Sequence, residues 1–157
     1  MKLRFLIFET KAPGWVSEAR SEYIAKISAF IPLECKSLKS PSADREQAET
    51  KRRQEAEILL DEIDDKDLVI LFDEKGRIGK SSEDFADHLR RVVESGKQRV
   101  VFCIGGAYGF SDEVYRRADL KWSLSPLTLN HWLAQLAALE QIYRGFTILR
   151  GLPYHNR

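Results

Sequence analysis

Two stretches in the last third of the chain have the composition of ligand-binding loops. Arg99-Val100-Val101-Phe102-Cys103-Ile104 is an apolar run of strand type, and it ends in Gly105-Gly106-Ala107-Tyr108-Gly109. Glycines at the carboxyl end of a parallel strand let a ligand approach the backbone closely. The spacing is not G-x-G-x-x-G, and no lysine follows as in a phosphate-binding loop. The next helix opens on Asp112 and Glu113, which suit the helix dipole but would repel a pyrophosphate. A nucleoside without phosphates therefore fits better than a nucleotide, and a plain tight turn accounts for the same glycines. The second stretch is Trp122 to His131. Ser123 to Leu129 is small, hydroxylated and apolar, as in an ordinary strand-to-helix connection with Thr128 or Asn130 as the cap. Together with the glycine loop and Phe72 at another strand end, it would wall an adenine-sized apolar pocket with backbone donors.

A third group lies in the tail. From Gln141 onward the chain carries Arg144, Arg150, Arg157 and His155 and no carboxylate. Such a stretch suits phosphates, with Tyr154 as a stacking group and His155 as a titratable one. A tail aromatic serves equally as a docking anchor. Lys51-Arg52-Arg53 is balanced by Glu46, Glu49, Glu55 and Glu57 and reads as a solvated helix face. His131 reads as a capping neighbour of the last helix rather than a ligand contact. His88, beside Leu89 on a charged helix, carries no functional signal.

The elements that must position these groups follow from periodicity. Leu3–Phe8 reads as a strand, and Pro13 opens a helix with Val16, Ala19, Tyr23, Ile27 and Phe30 on one face. Leu33–Leu38 alternates like a half-buried strand. Asp44 with Gln47 resembles a capping box for a charged helix running to about Ile63. Leu68–Phe72 is a continuous apolar run, and Glu74 to Arg77 turns away from it. Ser81 with Asp84 caps a helix through Glu94, with Phe85, Leu89, Val92 and Val93 inward and Gly96 as its stop. Ser111 to Glu113 starts a short helix and Lys121–Ser125 a last strand. Leu129–Phe146 is the final helix, with Leu129, Leu133, Leu136, Leu139, Tyr143 and Phe146 inward. Strands alternating with helices predict an α/β fold, a mainly parallel sheet with helices on both faces.

Bulk composition sets the outer bounds. The chain has 157 residues, 43% hydrophobic and 31% charged, with a net charge of +1. One domain over 1–157 is expected, burying roughly 70% of the surface of the unfolded chain. Near-zero charge argues against polyanion binding driven by overall charge, though not against a local basic patch. Cys35 and Cys103 are too few for a disulfide framework, Cys103 reads as a small core residue, and no Cys or His spacing matches a zinc site. The first strand is too short for a signal peptide or membrane span, so a cytoplasmic chain with no membrane contact is expected.

Ile104-Gly105-Gly106-x-x-Gly109, Leu124-Ser125-x-Leu127-Thr128-Leu129-x-His131, Glu140-Gln141-Ile142-Tyr143-Arg144 and Pro153-Tyr154-His155 together resemble the bacterial large-subunit ribosomal RNA pseudouridine N3 methyltransferases. These are minimal members of the SPOUT class. The likeness spans the chain and includes Lys2-Leu3 and Lys11-x-Pro13-x-Trp15-Val16. It implies a C-terminal trefoil knot, which periodicity alone would not suggest because knotted chains are rare. It also implies a homodimer joined at the knot regions, with S-adenosylmethionine as methyl donor and no metal. The donor would be held at Phe72, at Gly105 and along Leu124, Ser125, Pro126, Leu127, Thr128 and Leu129. The substrate implied is a pseudouridine in a stem-loop of 23S ribosomal RNA on the assembled ribosome, with Arg144, Tyr154 and His155 carrying the chemistry.

Three positions depart from that pattern. Asn130 stands where proline is common, which would alter the loop's rigidity. Ala134-Gln135 stands where a basic residue is frequent, which would remove a phosphate contact. The tail ends Asn156-Arg157 rather than with lysine directly after the histidine. Two other readings stay open. One is a doubly wound, nucleotide-dependent oxidoreductase, disfavoured by Asp112, Glu113 and the glycine spacing. The other is a non-enzymatic ribosome-binding module using the basic tail.

Overall fold

A computed structural model describes residues 1–9, 11–41, 47–106 and 108–156. Five strands alternate with five helices: β1 (Lys2–Phe8), α1 (Gly14–Ser28), β2 (Leu33–Leu38), α2 (Ala48–Asp61), β3 (Leu68–Ile78), α3 (Ser82–Glu94), β4 (Arg99–Ile104), α4 (Asp112–Arg117), β5 (Leu120–Ser123) and α5 (His131–Leu149). The strands form one sheet in the order β2-β1-β4-β3-β5, every neighbouring pair parallel. Each parallel step needs a crossover, which the helices supply.

Both faces of the sheet are covered, which is why its inner strands read as unbroken apolar runs. Phe5, Ile70, Val100 and Phe102 face one core with Ile27 of α1, Phe85 and Leu89 of α3, and Leu139, Ile142 and Phe146 of α5. Leu6, Leu71, Val101 and Cys103 face the other with Ala56 and Leu59 of α2 and Val114 of α4. The expectation of a parallel α/β sheet covered on both faces is met.

Several boundaries differ from the sequence reading. Residues 74–77 do not turn away. β3 shifts register between Phe72 and Arg77 and then pairs with β5 again, Arg77 with Trp122 and Ile78 with Ser123. Gly76 permits this, since a Cβ there would lie 2.7 Å from the backbone of Lys121 and Trp122. β5 ends at Ser123, two residues early, and α5 begins at His131 rather than Leu129 because the Asn130 side chain accepts from the Trp132 N–H at 2.8 Å. Val93 and Leu133 face outward at 40% and 49% exposure, although both were expected inward. The N-cap of α2 is Gln47, with no side-chain cap bond, so Gln47 is not the third residue of a capping box. Asp44 lies outside the described residues. Ser81 and Ser111 cap their helices as expected. Among the described residues, no helix is long and apolar enough to cross a membrane.

At the amino end of the sheet, Asp67 anchors an ion-pair cluster. Its nearly buried carboxylate accepts from Arg99 Nε at 2.8 Å and from the Asp64 N–H at 2.8 Å. Burial pushes this carboxyl up, but the Arg99 and Asp64 hydrogen bonds, with the charges of Arg99 and Arg117, outweigh it and hold it below its ordinary value. A carboxyl depressed in the folded state adds stability above its unfolded value that is lost as pH falls through the folded one. Asp67→Asn is expected to lower the unfolding free energy by about 1–3 kcal/mol at neutral pH. It should also flatten the loss of stability below about pH 4. Denaturant melts across that window check both; identical pH profiles for the two proteins would refute the assignment.

Candidate functional site

The carboxyl ends of β4 and β5 and the middle of β3 surround a pocket of about 350 Å³. Phe72, where β3 leaves its first register with β5, and Ile104, the last residue of β4, line it, together with residues of the glycine loop and of the Ser123–Leu129 loop. Of the residues assigned to ligand binding from sequence, Phe72, Gly105, Leu124, Ser125, Leu127, Thr128 and Leu129 line it. Pro126 belongs to the same loop but is not among the lining residues. The loop is shaped locally: Ser123 Oγ donates to the Ser125 carbonyl at 3.0 Å, and the Leu127 N–H donates to Ser125 Oγ at 2.9 Å.

The glycine loop is shaped from behind. Gly109 has φ +75° and its N–H donates to the Gly106 carbonyl at 3.1 Å. A Cβ on Gly106 would sit 2.7 Å from Glu55 Oε1. Glu55, on α2, is only 5% exposed. Burial pushes its carboxyl up, partly offset by the charge of Lys51 and a hydrogen bond from Ser40. The neighbouring basic residues also reach this loop. Arg52 Nη1 donates to the Tyr108 carbonyl at 3.3 Å and Lys51 Nζ lies 5.9 Å from the Tyr108 ring centre. Lys51-Arg52-Arg53 is therefore more than the solvated face expected. Arg52 and Arg53 border a second groove, of about 620 Å³, whose carboxylates include Asp112 and Glu113.

Among the described residues lining the first pocket, the formally charged ones are Asp73 and Glu74. Asp73 is held in place: Tyr115 Oη donates to its Oδ2 at 2.6 Å and the Lys75 N–H to its Oδ1 at 2.8 Å. An apolar cleft whose charges are both negative disfavours phosphate and favours a neutral or cationic ligand. Among the described residues, no cluster of His, Cys, Asp or Glu is arranged to hold a metal.

His131, read from sequence as a capping neighbour, lines the pocket as well. Its Nε2 lies 3.0 Å from Gln135 Nε2. Gln135 is fully buried, its Oε1 accepts from Arg20 Nη1 at 3.0 Å, and its amide also reaches Glu9 Oε2 at 3.3 Å. Arg20 thus fixes the amide orientation and leaves its NH₂ to donate to His131. Gln135 does not stand where a phosphate contact was lost, because its side chain is inside the protein.

The tail residues come together elsewhere. Arg144 Nη1 lies 3.1 Å from His155 Nδ1, and its guanidinium stacks 4.8 Å from the Tyr154 ring centre. The basic stretch is not unbalanced in space. Arg144 Nε donates to Glu140 Oε1 at 3.0 Å, Tyr154 Oη donates to the same oxygen at 3.1 Å, and His155 Nε2 faces Glu83 Oε1 at 3.0 Å. Arg157 lies outside the described residues. None of the three lines the pocket. Arg144 is 13 residues beyond His131 on α5, roughly 20 Å along the helix axis.

Comparison with known proteins adds the lineage. A family model described as "Predicted SPOUT methyltransferase" matches residues 1–155. The chain is 44% identical over 156 residues to the "Ribosomal RNA large subunit methyltransferase H" of Bdellovibrio bacteriovorus, covering 98% of this chain and 99% of that one. It is 41% identical over 157 residues to the protein of the same name from Syntrophotalea carbinolica, with both chains fully covered. This chain belongs to the SPOUT methyltransferase family. In fold it resembles the tRNA (m1G37) methyltransferase from Aquifex aeolicus, with a TM-score of 0.55 at 17% identity over 99% of this chain and 74% of that one.

Within this SPOUT methyltransferase, Asp73 and His131 in the pocket, and Glu55 behind the glycine loop, are the features that sequence reasoning missed or set aside. In sequence Glu55 balances Lys51-Arg52-Arg53 on a helix face and Asp73 merely follows an apolar strand, with no spacing signal to single out either. His131 yields a direct test. Burial lowers its pKa, against the raising effect of a hydrogen bond to the Phe8 carbonyl and the charge of Glu9. With Nε2 accepting from Gln135, the proton sits on Nδ1. A histidine depressed in the folded state supports the fold above its unfolded value of about 6.5 and withdraws that support as pH falls below it. Nitrogen chemical shifts are expected to show a neutral, Nδ1-protonated ring at pH 6.5; an imidazolium at that pH would contradict the network.

Proposed function

We propose that this protein is an S-adenosylmethionine-dependent enzyme that methylates N3 of a pseudouridine in a stem-loop of 23S ribosomal RNA on the assembled ribosome. One observation carries the reading. Along a chain matching large-subunit ribosomal RNA methyltransferases over its length, an apolar pocket with negative charge opens where β4 and β5 end beside the register shift of β3. That pocket fits a phosphate-free nucleoside with a positive charge. Phe72 and the Leu124–Leu129 loop, including Pro126, would hold the adenosine part, with Gly105 allowing close approach. The donor, when bound, supplies an electrophilic methyl group. The proposed cofactor set includes no metal.

The rest of the chemistry falls to the tail. N3–H lies between two carbonyls and is weakly acidic, so a modest base and a cation for the developing negative charge suffice. Burial, the Glu140 charge and the Glu140 hydrogen bond push the Tyr154 phenol up to about 12, which suits it to orient the base rather than deprotonate it. His155 is the proposed proton acceptor and Arg144 the group that stabilises charge or holds a phosphate. Glu140 keeps Arg144 firmly protonated.

On one chain this cluster lies far from the pocket. A homodimer in which each tail serves the partner's pocket reconciles the two. In this reading a C-terminal trefoil knot, as the family resemblance implies, forms the core of that dimer, within one domain spanning 1–157. The near-neutral net charge supports recognition of ribosome shape over naked RNA, in the cytoplasm and without membrane contact.

Labelled methyl from S-adenosylmethionine is expected to enter ribosomes from a strain lacking this protein and to map to an N3-methylated pseudouridine. Protein-free RNA should stay unlabelled. Label on neither, or on free RNA alone, would overturn the substrate reading. Arg144→Ala and His155→Ala should each cut turnover by about 100-fold or more and leave donor affinity unchanged, as titration calorimetry would show. Mixing a tail-deleted chain with a Gly105 variant should restore part of the activity; no recovery in mixed dimers would rule out the shared site.

A further inference from the structure

We propose that Asp73, assisted by Glu74, is the specificity-determining residue that lets the pocket distinguish methyl donor from demethylated product by charge. The proposal rests on the donor reading above and deepens it. Asp73 lies at the residue after Phe72, where β3 leaves its first register with β5, and lines the pocket. Its carboxylate is not free to swing away. Tyr115 Oη, from α4, holds one oxygen at 2.6 Å, and the Lys75 N–H holds the other at 2.8 Å. A Cβ on Gly109 would lie 3.9 Å from both Asp73 Oδ2 and Tyr115 Oη, so this fixed pair sits against the glycine loop itself. Of the nearby cations, Arg77 pairs with Asp84 and His88 on α3, and Arg52 Nη1 donates to the Tyr108 carbonyl. Lys75 borders the neighbouring groove, which Asp73 also lines, and is not among the residues lining the donor pocket.

Charge is the largest chemical difference between the two ligands. In the transfer a new N3–C bond forms, and the C–S bond breaks with its electron pair returning to sulfur. The N3 proton leaves to the base. The donor carries one net positive charge, from sulfonium and ammonium against carboxylate. The product thioether carries none. The adenosine and amino-acid parts are the same in both, so apolar walls and backbone donors cannot separate them. A fixed carboxylate can, because its attraction acts on the charge that the reaction removes. For one carboxylate facing one charge across a partly solvated pocket, the expected preference is on the order of 3- to 10-fold. The arrangement retains the loaded donor and lets the spent product go.

The test is titration calorimetry with S-adenosylmethionine, S-adenosylhomocysteine and the cationic analogue sinefungin, on the wild-type protein and on Asp73→Asn. Asparagine keeps the shape and still accepts from Tyr115. The variant is expected to lose about 3- to 10-fold in affinity for S-adenosylmethionine and sinefungin, with S-adenosylhomocysteine unchanged. A thermal melt establishes that it folds. Should it not, Glu74→Gln, on an exposed side chain, should lower the ratio of cationic to neutral affinity in the same direction by a smaller factor. Parallel loss for all three ligands would make Asp73 a shape residue and overturn the proposal, as would affinities unchanged throughout. Failure of the wild-type protein to bind any of the three would instead overturn the donor reading, and this proposal with it.

Discussion

To travel from β4 to β5 the chain must pass over β3, and that crossing organises the rest of the molecule. Because β3 lies between β4 and β5 in space, the carboxyl ends of those two strands and the register shift in β3 fall on the same side within two strand spacings. In parallel sheets, ligands bind where such ends diverge. The glycine loop leaves β4, the Ser123–Leu129 loop leaves β5, and the second half of β3 lies against β5 between them. Gly76 makes this possible. Any side chain there would strike the backbone of Lys121 and Trp122, and β3 could not regain its pairing with β5.

The same crossing explains why the pocket carries negative charge. Asp73 and Glu74 occupy the irregular stretch where β3 has left one register and not yet entered the next. Side chains there are released from the strict alternation that buries Leu71 and Phe72, so polar groups can reach the cleft. Tyr115 then fixes one of them from α4. The register shift and the polarity of the site share one local cause.

The sheet was legible because its strands are buried on both faces. Leu68–Phe72 and Val100–Ile104 have no alternation to misread, and the caps at Ser81 and Ser111 are local signals that tertiary packing does not override. The pocket-lining loops were legible for a related reason, since glycines and small residues at the carboxyl ends of parallel strands leave room for close approach to the backbone. What failed depended on long-range neighbours. The continuation of β3 past Asp73 is set by Gly76 meeting β5, 45 residues later in sequence. Leu133 fits the apolar spacing of α5, yet the face it occupies is turned outward. Gln135 was read as a surface departure because nothing in its neighbourhood in sequence reveals Glu9 and Arg20, which meet it across the fold.

The tail illustrates the same limit with a chemical consequence. Counted along the chain, Gln141 to the end is purely basic. In space, Glu140 and Glu83 sit directly against Arg144 and His155. This does not disqualify the cluster from chemistry. Ion pairs at a partly solvated surface contribute little net stability, so a phosphate or a developing anion can displace them at small cost. While they last, they hold the Arg144 plane over Tyr154 and point His155 Nε2 at Glu83, which leaves Nδ1 as the ring's acceptor. Carboxylates that neutralise the stretch therefore also preorder it. A tail free of acids would bind polyanions more avidly and less selectively. One whose cations are already oriented by weak, replaceable partners is suited to an acceptor that arrives in only one geometry.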